Sequence, residues 1–241
     1  MKGLNRGFCM KWIKRILLFI VLIIVIVVIV IFLNGKKMYD NVLEQSSLAE
    51  TIEEIQNDED YVKIEDLPEY YINAVVAVED HRYYSHGAID IIAIGRALWV
   101  NITNFSLQEG GSTITQQVAK NILFIEETDV LARKAAEILA AIDLEENYTK
   151  DEILELYVNT IYFGDGYYGI KEACNGYLDI EPSEMTLYDA TMMAGIPNAP
   201  SIYAPTVNPD LTRSRQEKVV ACMVEYGYLS QEEADDLLEE K

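Results

Sequence analysis

Two glutamates stand where a carboxylate needs a reason. Glu79 follows Ile72, Val75 and Val76 on one helical face by the i, i+3, i+4, i+7 rule. An acid on such an apolar stripe is partly desolvated, which raises its pKa above the ordinary ~4.3 and makes it a better proton acceptor near neutral pH. Spacing alone leaves a second possibility open, a helix-end carboxylate turned to solvent. Glu137 lies in Ala135-Ala-Glu-Ile-Leu-Ala-Ala141, a helix apolar nearly all round, with Arg133 one turn earlier. That i, i+4 pair can be a plain surface ion pair worth about 0.2–0.5 kcal/mol. The apolar surroundings favour a buried acid kept for function.

Between the two glutamates runs Gly110-Gly-Ser-Thr-Ile-Thr-Gln-Gln117, continuing to Lys120. Two glycines let backbone approach a ligand closely, and the helix start after them offers free N–H groups and a partial positive charge. Thr113, Gln116, Gln117 and Lys120 then share one polar stripe, which suits a diphosphate lying along the helix start with Lys120 as counter-charge. A capped helix with an exposed polar face fits the same pattern. His81 and His86, the only histidines, lack metal-ligand spacing, and His86 reads as a structural hydrogen-bonding group. No zinc or haem spacing of cysteines occurs; Cys174 and Cys222 can pair or stay buried thiols.

The elements that must position these groups are helices. Pro68 opens the helix carrying Glu79, and Ser112 can cap one running through Asn121. Thr149-Lys-Asp-Glu152, Thr186-Leu-Tyr-Asp189 and Ser230-Gln-Glu-Glu233 match the capping-box pattern or its Asp variant. Asn208-Pro209 opens a further helix that Gly227 can close. Strand-like alternation is nearly absent, so the fold class is mainly α. Residues 38–62 are polar and acid-rich, a stalk or a loosely packed first helix. The segment from Ile91 to Glu109 starts apolar and ends in a polar, Gly-bounded loop, either a core helix or an apolar flap facing a bilayer.

Ile16 to Leu33 is an unbroken apolar run, roughly 27 Å long as a helix and close to the hydrocarbon thickness of a membrane. Five basic residues and no acid precede it, which places residues 1–15 in the cytoplasm and the rest of the chain outside. The run is too long for a cleaved signal peptide, and no small-x-small site follows. Beyond residue 37 the chain carries 12 basic and 40 acidic residues. So acidic a surface excludes nucleic acid as a partner, and any anionic substrate must be held by a few placed cations. Six of the 12 (Arg82, Arg96, Lys120, Arg133, Lys134, Lys150) fall between residues 82 and 150.

Taken together, Glu79-Asp-His-Arg-Tyr-Tyr-Ser-His86, Gly111-Ser-Thr-Ile-Thr-Gln-Gln117 with Lys120-Asn121, Arg133-Lys-Ala-Ala-Glu137, Lys150-Asp-Glu-Ile-Leu-Glu-Leu-Tyr-Val-Asn159 and Ala194-Gly-Ile-Pro-Asn-Ala-Pro200 resemble the five ordered motifs of family 51 glycosyltransferases, the peptidoglycan transglycosylases. The resemblance covers roughly residues 65–207. It implies a lysozyme-like head with a smaller membrane-proximal jaw at about 91–109, within an extracytoplasmic domain of residues 65–241. One transmembrane helix (16–33) and a stalk (34–64) precede that domain, on a single-pass protein of the cell membrane.

The implied substrates are lipid II and the growing glycan strand, with membrane lipid and other cell-wall synthases as further partners. By the resemblance Glu79 is the base on the acceptor 4-hydroxyl, and Glu137 is the second acid, beside the diphosphate. Lys120 and Arg133 form a cationic clamp, and Ser112, Gln116 and Gln117 line the donor groove. Asp80, Tyr83, His86 and Asn121 complete the site. A diphosphate departs as a stabilised anion, so protein cations and a divalent ion (Mg²⁺ or Mn²⁺) can replace strong acid catalysis, with no dedicated protein metal site needed. One base then suffices, unlike the two-carboxylate arrangement of glycosidases.

The sequence departs from the family pattern at Tyr83, where Phe is usual, and at Ala88, where Gly is usual. The stretch 122–132 is one residue longer than expected, leaving Thr128 or Asp129 where a basic donor-site residue normally sits. No transpeptidase motifs follow, so a monofunctional enzyme is expected. A catalytically weak lipid II-binding scaffold and a glycan-cutting lytic enzyme are the alternatives.

Overall fold

The computed structural model describes residues 6–104 and 111–239. Its described residues are mainly helical, as composition and capping signals predict. The first helix, α1 (Arg6–Leu43), carries the apolar run at its centre with every side chain from Ile16 to Val30 exposed. Among the described residues it is the one helix long and apolar enough to cross a membrane.

The expected stalk at 34–64 is corrected by α1, which does not stop at the basic pair Lys36-Lys37 but continues into the head. There it packs on α6 (Val130–Asn147). Gly35 makes that approach possible, since a Cβ at this position would lie 2.5 Å from the Ala135 Cβ and 2.7 Å from the Ala132 carbonyl oxygen. Tyr39 is buried one turn on and donates to Asp143 at 2.7 Å. Helix α2 (Leu48–Gln56), opened by a Ser47–Glu50 capping box, buries Ile52 while its acids face solvent. The acid-rich composition that suggested a stalk belongs to these outer faces.

The chain then crosses α7 (Lys150–Thr160), where residues of the fourth motif bind it. Glu155 accepts from the Tyr61 hydroxyl, Lys63 Nζ and the Ile64 amide at 2.8, 3.2 and 2.8 Å, and Asn159 pairs with both backbone groups of Val62. Helix α3 (Glu69–Glu79) buries Tyr71, Ala74, Val75, Val76 and Ala77 and leaves Ile72 half-buried. It packs on α9 (Leu187–Gly195) and α11 (Pro209–Glu225), while α5 (Ile114–Leu123) packs on α6 and α7. A two-stranded hairpin, β1 (Tyr162–Gly164) and β2 (Tyr167–Tyr168), leads into α8 (Gly169–Leu178). Short α10 (Pro200–Tyr203) and terminal α12 (Gln231–Glu239) complete the head.

The capping signals locate their helices well. Thr149, Thr186 and Ser230 form their boxes, and Asn208 caps α11, which ends just before Gly227 at φ +81°. The cap of α5 is Thr113 rather than Ser112, its hydroxyl accepting from the Gln116 amide at 3.2 Å. Cys174 and Cys222 are both free.

Helix α4 (Ile91–Asn104) is not a core helix. Ile91, Ile92 and Trp99 are 80, 67 and 72% exposed, and Ala97 is the one buried side chain described on it. The Gly-bounded end of this segment, residues 105–110, lies outside the described residues. With so little buried surface to hold it closed, α4 should exchange its amides much faster than residues 133–145 of α6. Hydrogen exchange on the protein in lipid and in detergent checks this; equal, strong protection in both would contradict it.

Candidate functional site

Glu79 is the last residue of α3, where Asp80 leaves the helix with φ −157° and ψ 72°. Its Oε2 accepts from Gln117 Nε2 at 2.9 Å, and its Oε1 is buried without a hydrogen-bond donor among the described residues. Arg215 Nη2 stands 3.9 Å from Oε1. Burial pushes the Glu79 carboxyl above its ordinary pKa, the Gln117 hydrogen bond and the Arg215 charge oppose that, and Asp80 adds to it. The cation opposing desolvation is thus Arg215.

Glu79 opens on a cleft of about 750 Å³ that Ser112, Gln117, Lys120 and Asn121 line on the α5 side. Arg96, Arg215, Lys218 and His81 line it elsewhere, with the His81 ring stacked on Tyr226 at 4.2 Å between centroids. Lys120 is exposed there and makes no ion pair among the described residues. The amide Nδ2 of Asn121 is buried without an acceptor among them.

Glu137 reaches this cleft at one remove. Its carboxylate is buried, takes Lys134 Nζ at 2.9 Å and has Arg133 Nε at 3.4 Å. Lys134 Nζ in turn donates to Ser112 Oγ at 2.8 Å, on the cleft wall. Arg133 Nη1 donates to the Glu127 carbonyl at 2.8 Å. The guanidinium and the acid therefore form one fixed unit behind Ser112.

Three expected site residues turn away from the cleft. Gln116 is 2% exposed and its amide donates to the Ala88 carbonyl at 3.2 Å, so it packs the core instead of lining a groove. On α5 it lies about 100° round from Gln117, enough to put neighbouring amides on opposite walls. Tyr83 is fully buried, its hydroxyl donating to the Lys150 carbonyl at 2.7 Å and its ring lying under the Lys150 ammonium. Asp80 bridges His86 Nε2 at 2.7 Å and the Ile114 amide at 3.2 Å, fastening the end of α3 to the start of α5. His86 is structural, as its setting suggests. Asp90 joins this cluster, close enough to Asp80 and His86 for the three to surround an ion, but it is paired with Arg82.

Arg215 and Lys218 are the cleft cations that sequence reasoning does not single out. Lys134 carries a weak signal, its i, i+3 spacing to Glu137. Arg215 and Lys218 sit in Arg213-Ser-Arg-Gln-Glu-Lys218, which reads as an ordinary solvated face. Arg215 reaches inward because Gly195 has no side chain: a Cβ there would lie 3.0 Å from Arg215 Cγ, and Arg215 Nε donates to the Gly195 carbonyl at 3.2 Å. Within the stretch 122–132, Asp129 caps α6 by accepting from the Leu131 and Ala132 amides, with Thr128 exposed beside it.

Comparison with known proteins agrees with these motifs. The transglycosylase family model matches residues 45–224. Penicillin-binding protein 1F of Bacillus subtilis is 42% identical over 173 residues, covering 72% of this chain and 24% of that protein. Penicillin-binding protein 1A of Neisseria lactamica is 41% identical over 182 residues, 76% of this chain and 23% of that one. The chain therefore spans about a quarter of the length of these relatives. The crystal structure of penicillin-binding protein 1A from Haemophilus influenzae aligns with a TM-score of 0.46 at 24% identity, over 75% of this chain and 17% of that one. With three quarters of its length inside the matched family, and its charged cleft built from the same ordered motifs, the chain belongs to the transglycosylases, the family 51 glycosyltransferases.

Proposed function

We propose that the chain is a peptidoglycan glycosyltransferase that polymerises lipid II at the outer face of the membrane, with α1 as its single span and its N-terminus in the cytoplasm. The observation that carries this reading is the Glu79 carboxylate, desolvated and with no hydrogen-bond donor to Oε1 among the described residues, opening on a cleft whose walls supply several cations. Glu79 takes the proton from the 4-hydroxyl of the acceptor sugar as that oxygen attacks the anomeric carbon of the growing strand. The bond to the lipid diphosphate breaks on the opposite face, its electron pair leaves with the diphosphate, and the configuration inverts. Lys120, at the cleft surface and without an ion-pair partner among the described residues, meets the departing charge.

Glu137 does not touch the reacting atoms in this scheme. It holds Lys134 and Arg133, and Lys134 orients Ser112 on the donor side. The exposed apolar face of α4 rests in the membrane interface, which brings the cleft to the depth where a lipid-linked diphosphate lies. Mg²⁺ or Mn²⁺ would neutralise diphosphate charge. The residues present do not fit a protein-held ion, because Glu79 and Glu137 are met by Gln117 and Lys134, and Asp80 and Asp90 by His86 and Arg82.

Incubating the purified full chain in detergent or vesicles with lipid II, and sizing the product, tests the assignment. Long glycan is expected. Unchanged lipid II that still binds would indicate a scaffold, and cleavage of added peptidoglycan without polymer would indicate a lytic enzyme.

A further inference from the structure

The connection from α5 to α6 leaves three large apolar side chains in the open. Ile125 is 57% exposed, and Val130 and Leu131, which begin α6, are 61% exposed each. Single exposed hydrophobics are ordinary on a protein surface, so these carry meaning only through where they lie.

Their place is set by α1, which pins the connection at both ends. At its start the buried Phe124 ring meets the Tyr39 ring edge-on, 6.2 Å between centroids. At its end Gly35 packs on Ala132, Ala135 and Ala136 of α6, too close to admit a Cβ. One turn further along α1, Tyr39 donates to Asp143, further along α6 as well. Contacts that advance together along both helices mean that α1 and α6 run in the same sense. The apolar run of α1 ends at Leu33 and the chain enters the head at Gly35, so α6 also points away from the bilayer. Its first turn is therefore its membrane-side end. Val130 and Leu131 precede the alanines that meet Gly35 by one to six residues, which puts them roughly 2–9 Å nearer the bilayer at ~1.5 Å per residue. The same distance back along α1 from Gly35 reaches the last turn of the apolar run, where Ile29, Val30, Phe32 and Leu33 are exposed.

We propose that the α5–α6 connection is a second lipid-contacting surface of the head, separate from α4, with Val130 and Leu131 entering the bilayer interface beside α1. The occupant is lipid because this surface is continuous with the exposed face of the spanning helix and stands level with it. Glu126, Glu127 and Asp129 limit the depth, since carboxylates stay in the hydrated headgroup layer while the apolar side chains go deeper. Exposed Lys36 and Lys37 lie next to Gly35 and offset that negative charge. Lys120 of α5 and Arg96 of α4 line the same cleft, so lipid contacts at α4 and at the connection flank it and fix its tilt over the bilayer. The inference rests on α1 spanning the membrane.

The test places photoreactive benzoylphenylalanine at single positions of the full chain, reconstituted in vesicles of phosphatidylcholine and phosphatidylglycerol, and identifies the adducts formed on illumination by mass spectrometry. Val130→benzoylphenylalanine and Leu131→benzoylphenylalanine should each give lipid adducts in yields of the same order as Phe32→benzoylphenylalanine in the span. Ile142, also exposed on α6, lies 11 residues beyond Leu131. That is about 16 Å farther from the bilayer, beyond the ~5–10 Å reach of an interfacial contact, so Ile142→benzoylphenylalanine should give about ten-fold less lipid adduct. Equal lipid labelling at Ile142 and Leu131, no lipid adduct at either position 130 or 131, or adducts to a second protein chain in place of lipid would each overturn the proposal. Phe32 keeps the two readings apart. Lipid adducts there with none at 130 and 131 defeat this inference alone, whereas their absence at Phe32 defeats the spanning reading itself.

Discussion

Glu79→Gln should abolish glycan polymerisation while lipid II still binds and the protein melts at the same temperature or higher. Glutamine keeps the shape of the side chain and can still pair with Gln117 once one amide turns, but it cannot accept a proton. Loss of a positioned general base is worth about 10²–10⁴ in rate, and the two other acids of the motifs around it, Asp80 and Glu137, are already engaged. Asp80 is tied to His86 and the Ile114 amide, and Glu137 is tied to Lys134 behind Ser112.

The stability half of the prediction follows from the sign of the shift. Burial raises the Glu79 pKa in the folded state, so the fold binds that proton more tightly than the unfolded chain does. Stability from this group is therefore greatest at low pH and is lost as pH rises through the folded value. At neutral pH the ionised carboxylate is a burden on the fold, and a neutral amide removes it. Thermal melts at pH 7 and at pH 5 check this, the gain from Glu79→Gln being larger at pH 7. A variant that still makes long glycan, or one that melts far below wild type at both pH values, would sink the assignment.

What the sequence made legible was mostly local. The i, i+3, i+4, i+7 stripe placed Glu79 against the core, and the capping boxes at Thr149, Thr186 and Ser230 started their helices where they were read. Local rules failed where a long-range contact decides the outcome. The path of α1 into the head depends on Gly35 meeting Ala132 and Ala135, about a hundred residues away, and nothing near Gly35 announces it. Gln116 and Gln117 carry the same amide one residue apart, and only the packing of α5 shows which one meets Glu79. Arg215 was invisible because its inward turn is permitted by a glycine on another helix. Family motifs supplied the glutamates and Lys120, but they did not separate residues that face the cleft from those that brace it.

Lys120→Ala should reduce turnover by at least about 100-fold, with most of the loss in kcat, while changing stability by no more than about 1 kcal/mol. The asymmetry comes from how its charge is used. Lys120 is exposed on the cleft wall and has no ion-pair partner among the described residues, so the fold does not depend on it. The diphosphate gains negative charge as its bond to the sugar breaks, so a cation beside it stabilises the transition state more than the bound substrate. Arg133, the other expected clamp residue, should behave differently. Its guanidinium already serves Glu137 and the Glu127 carbonyl, so Arg133→Ala leaves a buried acid with Lys134 as its remaining cation. A drop in melting temperature should therefore accompany its loss of rate. Thr128→Arg adds a cation at an exposed position beside the α6 cap and should leave turnover unchanged or tighten donor binding. Steady-state kinetics on lipid II, with thermal melts of the same preparations, separate these cases. Near-normal turnover in Lys120→Ala, or a loss confined to KM, would move the diphosphate to the opposite wall, where Arg215 and Lys218 are the remaining candidates.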